Sequence, residues 1–125
     1  MELRTVKKGF KDLRVWQRSK TLAVEIYKAT ETGSLSRDYG LRDQIRKSSV
    51  SVCSNIAEGD ERNTDKDSVR FFFIAKGSLA ELITQLEIAH EVGYFHEDIM
   101  QSFEEECDEI GRMLGALIKS RKARL

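Results

Sequence analysis

Apolar residues recur at spacings of three and four along nearly the whole chain, and no proline interrupts them. Proline breaks helix interiors by removing a donor and clashing with the preceding turn, so its absence leaves room for long helices. The spacing itself supplies the positive argument, because a stripe at that period is one face of an α-helix. A first helix is predicted over 12–32. Asp12 is the candidate N-cap, Leu13, Trp16, Ala23, Ile26 and Tyr27 form the stripe, Val15 and Leu22 widen it, and Gly33 ends it.

A second helix is predicted over 37–61, starting after Ser36, with Leu41, Ile45, Val52 and Ile56 inward and the small Ser48 among them. Beside that face runs a polar seam of Ser51, Asn55 and Glu58, in which a buried Asn55 needs a hydrogen-bond partner. Val50 and Ala57 point away from Val52, so the back of this helix also asks for cover. Gly59 to Asn63 reads as a polar break, and Thr64 followed by Asp67 resembles a capping box.

A third helix is predicted over 65–92, closing on Gly93, with Phe72, Ala75, Leu79, Leu82, Leu86 and Ala89 as its stripe. Phe71, Phe72 and Phe73 are consecutive and fan across about 200° of helix surface, so one core cannot take all three. A fourth helix is predicted over 97–121, following Tyr94–His96, with Ile99, Phe103, Cys107, Ile110, Leu114 and Leu117 inward. Its acids lie first and its bases last, as the helix dipole favours. Gly111 and Gly115 suggest close packing. The expected fold is therefore all-α: one domain over residues 1–125, an antiparallel up-and-down four-helix bundle.

The residues offer little chemistry. Glu87 and His90 make one Glu-x-x-His spacing, whereas a di-metal bundle needs two such motifs and two further glutamates. No P-loop, dinucleotide fingerprint or nucleophile elbow is present, and Glu58, Glu81 and Glu109 read as surface or capping carboxylates. The expectation is no enzyme, no metal and no cofactor. Cys53 and Cys107 sit at helical spacing among apolar residues and read as small hydrophobes. Residues 1–10 lack the apolar segment of a signal peptide, and no apolar run approaches the roughly 20 residues a membrane span needs. A cytoplasmic protein is expected.

Charge is balanced in sum but not in place: 21 Lys and Arg face 21 Asp and Glu. Arg4, Lys7, Lys8, Lys11, Arg14, Arg18, Lys20 and Lys28 crowd the first 28 residues, while residues 97–109 hold seven acids and no base. The tail Lys119–Arg124 is basic again. Such asymmetry is either a set of solvated helix faces or an electrostatic surface for a partner such as nucleic acid. If it is a surface, Lys7, Lys8, Lys11, Arg14 and Arg18 are the candidate phosphate contacts, with Lys119, Arg121, Lys122 and Arg124 as a second set. Arg14 and Arg18 are neighbours one turn apart.

Several segments also carry a resemblance in order along the chain. They are Phe10-Lys11-Asp12-Leu13-Arg14-Val15-Trp16-Gln17, Tyr39-Gly40-Leu41-Arg42-Asp43-Gln44-Ile45-Arg46, Val50-Ser51-Val52-Cys53-Ser54-Asn55-Ile56-Ala57-Glu58-Gly59, Ile74-Ala75-Lys76-Gly77-Ser78-Leu79-Ala80-Glu81-Leu82 and Gly93-Tyr94. Together they resemble the bacterial four-helix-bundle proteins encoded by intervening sequences in large-subunit ribosomal RNA genes. That resemblance implies a cyclic homopentamer. It also implies kinship with the accessory variability proteins of diversity-generating retroelements, basic pentamers that bind nucleic acid and a reverse transcriptase. Two functions follow as expectations: an oligomeric adaptor for RNA or DNA or for a nucleic-acid enzyme, and an oligomeric protein-interaction scaffold with no nucleic-acid role. Beside that resemblance, Asn55 and Glu58 read as structural residues that cap, pair and set helix register, with a ligand or partner site as the alternative.

Overall fold

The computed structural model describes residues 9–125, and within them every regular element is helical. The four α-helices are α1 (Arg14–Ala29), α2 (Tyr39–Asp60), α3 (Asp65–Glu91) and α4 (Glu97–Lys122), with 3-10 turns at Phe10–Asp12 and Ser34–Arg37.

Asp12 does not cap α1. It closes the first 3-10 turn, and the extended backbone of Leu13, with φ −75° and ψ 123°, precedes the helix. The cause is local: the ring of Phe10 packs edge-on against Trp16 at 5.2 Å, which folds the entering chain back on itself. The helix also ends earlier than expected. Thr30 is fully buried, and its hydroxyl donates to the carbonyl of Ile26 at 2.8 Å while accepting from Arg46 Nε at 2.8 Å. Gly33, at φ 80°, starts the second 3-10 turn instead of ending α1, which lets Leu35 enter the core at 2% exposure.

Instead of starting right after Ser36, α2 starts at Tyr39 and is capped by Asp38, whose Oδ1 accepts from the Leu41 amide at 3.2 Å. The expected break at Gly59 comes too early, since Gly59 lies inside the helix and is buried. Thr64 does cap α3, accepting from the Asp67 amide at 3.1 Å. The end of α3 at Gly93, φ 91°, carries the paired bonds of a Schellman motif, Tyr94 N to Ala89 O at 2.8 Å and Gly93 N to His90 O at 3.0 Å.

Residue pairings fix how the helices meet. Arg46 stacks on Tyr27 at 4.6 Å between α2 and α1. Ser51 and Ser78 share a hydrogen bond of 2.7 Å between α2 and α3, where Gly59 also abuts Phe72. Leu79 lies against Gly111, and Arg121 over the ring of Phe72, between α3 and α4. One core results, with Ile45, Ile56, Phe72, Leu82, Ile110 and Leu114 all at 0% exposure.

The stripes are rotated slightly from their expected positions. Tyr27 is 44% exposed, and Ile99 gives way to Met100, because Phe95 and Phe103 close that end of the core edge-on at 5.6 Å. Ile118 is buried where Leu117 was expected, and Leu117 packs at the core's margin. The phenylalanine fan divides three ways: Phe72 is buried, Phe71 half-buried and Phe73 exposed. Asn55 finds its partners on its own helix, donating to the Ser51 carbonyl at 2.9 Å and hydroxyl at 3.1 Å. Glu58 stays outside that seam, 3.8 Å from Arg62.

Candidate nucleic-acid interface

The basic residues singled out in the sequence fall into different environments. Lys7 and Lys8 lie outside the described residues. Lys11 and Arg14 are exposed, as are Lys119 and Lys122 near the end of α4. Arg18 is half-exposed and committed: Nε and Nη2 donate to the two Glu106 oxygens at 2.7 and 3.0 Å. This bidentate bond, reinforced by the Glu106 charge, pushes the Arg18 guanidinium above its ordinary value and holds it protonated. Arg121 is likewise taken, by Asp60 at 2.7 Å with both side chains largely buried, and Arg124 lies 3.3 Å from Asp65.

Those last two pairs bind the end of α4 to the connection between α2 and α3. This connection, which reads in the sequence as a polar break and a helix cap, is not among the candidate basic sites named there. It adds Arg62, Lys66 and Arg70 along a groove of about 550 Å³. Arg62 and Arg70 both reach Asp67, at 3.3 and 3.1 Å, and both lie over the Phe71 ring, at 4.3 and 4.5 Å from its centre. Nearby Phe73 carries Lys76 at 5.9 Å and Lys122 at 5.6 Å. Part of this was legible, because Lys76 follows Phe73 by three residues, a facing interval on a helix. Arg62 comes from the α2–α3 connection and Lys122 from α4, so sequence spacing carried no trace of them. The stretch is also rich in acids, which hid its bases from any count of charge.

A second groove, about 530 Å³, runs between α1 and α4 over Leu22 and Phe103, with the Arg18–Glu106 pair on its wall. Glu87 and His90 do not form a metal pair; His90 Nε2 instead lies 2.9 Å from Glu97 Oε2. Among the described residues no three His, Cys, Asp or Glu side chains are placed to hold a metal ion. No helix among them is long and apolar enough to cross a membrane. Cys107 is buried, and burial together with Asp108, Glu106 and Glu104 pushes its thiol up to about 12. Burial also raises the half-buried Cys53 thiol.

No curated protein matches the chain. Among solved structures, a protein of unknown function from the S23 ribosomal protein family of Bacteroides thetaiotaomicron VPI-5482 is similar, with 24% identity and a TM-score of 0.78. The match covers 84% of this chain and 95% of that one, a likeness of fold. The model of the 23S rRNA-intervening sequence protein family matches residues 11–116, a span that reaches into all four helices. The chain belongs to the 23S rRNA-intervening sequence protein family.

Proposed function

We propose that this protein is a non-enzymatic, cytoplasmic adaptor that binds RNA or DNA, or a nucleic-acid enzyme such as a reverse transcriptase, through one basic end of an antiparallel up-and-down bundle. Its working form is a cyclic homopentamer. The antiparallel order is supported by the pairings: Ser51 meets Ser78 while Gly59 meets Phe72, and Leu79 meets Gly111 while Phe72 meets Arg121. Rising numbers on one helix run against falling numbers on its neighbour.

The observation that carries the proposal is the convergence of bases from segments far apart in sequence. The ion pairs of Arg121 and Arg124 bring the tail to Arg62, Lys66 and Arg70. Along the α1–α4 groove, Leu22 lies beside Phe103 and Arg18 beside Glu106. Continuing that trend carries Arg14 and Lys11 toward the same end. The acids Glu97, Asp98, Glu104 and Glu105 gather toward the other end. Separation of charge along the bundle gives an overall neutral chain an attractive field for phosphates, and a ring of copies multiplies it. Assembly is supported by Val24, Tyr27 and Val50, exposed at 45%, 44% and 39% along the α1 and α2 edges. Cyclic closure would seat that edge on a different edge of the next copy.

The scaffold reading, without nucleic acid, draws on the opposite observation: Arg18, Arg121 and Arg124 already have carboxylate partners. Titrating labelled single- and double-stranded RNA and DNA at about 50 and 200 mM salt separates the two. Binding that falls steeply with salt, and falls again on joint Lys7, Lys8, Lys11 and Arg14 to Ala substitution, supports the adaptor. No binding at low salt leaves the scaffold. Light scattering tests the assembly, for which five copies are expected and a stable monomer is the contrary result.

A further inference from the structure

Resting on the nucleic-acid reading above, we infer that the exposed ring of Phe73, with Lys76 and Lys122, is a stacking platform for a base of single-stranded nucleic acid. The three consecutive phenylalanines have distinct fates. Phe72 is sealed in the core. Phe71 is half-buried, and its ring is covered more closely, by Arg62 and Arg70 at 4.3 and 4.5 Å. Phe73 is 44% exposed and has only two lysine ammonium groups over it, at 5.9 and 5.6 Å.

Three properties make this ring suited to a base. The lysines have no carboxylate partner among the described residues, unlike Arg62, Arg70, Arg121 and Arg124 around them. Their charge therefore remains available to phosphates on either side of a stacked base. One turn on from Phe73, Gly77 adds no side chain to the surface, and nothing lies within 4 Å of where one would begin. The 42%-exposed Ile74 extends the surface with further apolar area.

Chemistry then selects the ligand. Every base has a π-face that stacks on an aromatic ring, while the phosphates follow nearby cations, so such a site tolerates sequence but requires unstacked bases. A duplex hides its base faces and leaves only the lysines to engage. Further along the α3–α4 seam the surface turns acidic at Glu87, Glu104 and Asp108, which repels backbone phosphates and keeps the footprint short.

The test is fluorescence anisotropy with labelled oligo-uridine and oligo-thymidine of about 15 nucleotides and a duplex of equal length. Phe73→Ala is expected to weaken single-strand binding about 5- to 150-fold, the range that loss of one base–aromatic stack gives, and to leave duplex binding within about twofold. Phe73→Trp should retain single-strand affinity. Lys76→Ala with Lys122→Ala should make the salt dependence shallower by about 1.4 in logarithmic slope. If Phe73→Ala binds like wild type while joint substitution of Lys11 and Arg14 weakens binding, the platform is wrong and the basic end survives. If wild type binds no nucleic acid, both fall together. If Phe73→Ala changes the assembly mass by light scattering, the ring is a subunit contact and the platform is likewise overturned.

Discussion

Gly59 of α2 and Phe72 of α3 meet so closely that a methyl group on Gly59 would lie 2.6 Å from the ring's Cε1 and 3.0 Å from the Ser68 carbonyl oxygen. Phe72 is fully buried and cannot swing aside, and the carbonyl belongs to the backbone of α3. Gly59→Ala therefore forces the two helices apart. Overpacking of this kind costs about 1–3 kcal/mol, against a helix-propensity gain of about 0.5–1 kcal/mol, so the variant should be less stable. Gly77→Ala, with open space around it, should be more stable by about 0.5–1 kcal/mol. Urea denaturation followed by circular dichroism measures both, and equal shifts in the two variants would contradict the packing.

The core itself gives a sharper expectation. Ile56 and Leu82 are both at 0% exposure, so Ile56→Asp or Leu82→Asp buries a carboxylate with no counter-charge. Such a group costs several kcal/mol, comparable with a total stability of about 5–15 kcal/mol. Either variant should lose its helical signal at room temperature, whereas Ile74→Asp, at a position 42% exposed, should stay folded.

Arg18 should matter less to nucleic-acid binding than its sequence position suggests. Its guanidinium is already matched by both oxygens of Glu106, while Arg14 one turn earlier is exposed. Arg18→Ala should weaken binding less than Arg14→Ala does. Glu106→Gln should release the charge and steepen the logarithmic salt slope by about 0.7–0.9. Anisotropy titrations at several salt concentrations compare the three, and an unchanged slope for Glu106→Gln would argue against Arg18 facing the ligand.

Stability should decline at alkaline pH. Cys107 is pushed up to about 12 by burial and neighbouring acids, and Tyr94 is raised mainly because its hydroxyl donates to Asp38 Oδ2 at 2.9 Å. Above the ordinary thiol value of 9.0 the unfolded chain releases protons that the folded chain keeps. Unfolding then becomes easier as pH rises, and the full contribution is present only below that value. Denaturation midpoints at about pH 8 and pH 10.5 should show the fall, and Cys107→Ala should flatten it. For the same reason Ellman's reagent at about pH 8 should reach Cys53 first and Cys107 only as the protein unfolds.

The helices were legible because their signals are local. The stripe Phe72–Ala75–Leu79–Leu82–Leu86–Ala89, the cap at Thr64 and the stop at Gly93 each depend on residues within a turn or two of one another. Boundaries set by long-range contacts were not: α1 stops early because Thr30 meets Arg46 from α2, and α2 runs through Gly59 because Phe72 from α3 fills the space beside it. Sequence spacing offered Lys11, Arg14 and Arg18, and the tail's Lys119, Arg121, Lys122 and Arg124, as alike candidates, yet could not see that Arg18 belongs to Glu106, 88 positions away, or that Arg121 and Arg124 are held by Asp60 and Asp65.

What the sequence determined alone was four amphipathic helices, their order and, to within a slight rotation, the faces they must bury, since helical periodicity follows from the covalent chain. Tertiary structure decided which charges remain available and which ring of the phenylalanine run faces solvent. Those outcomes depend on side chains from different helices coming within hydrogen-bonding or stacking distance, and hydrogen-bond and stacking geometry is lost within a few ångströms. No spacing along the chain encodes such distances; packing of the four helices about one core does.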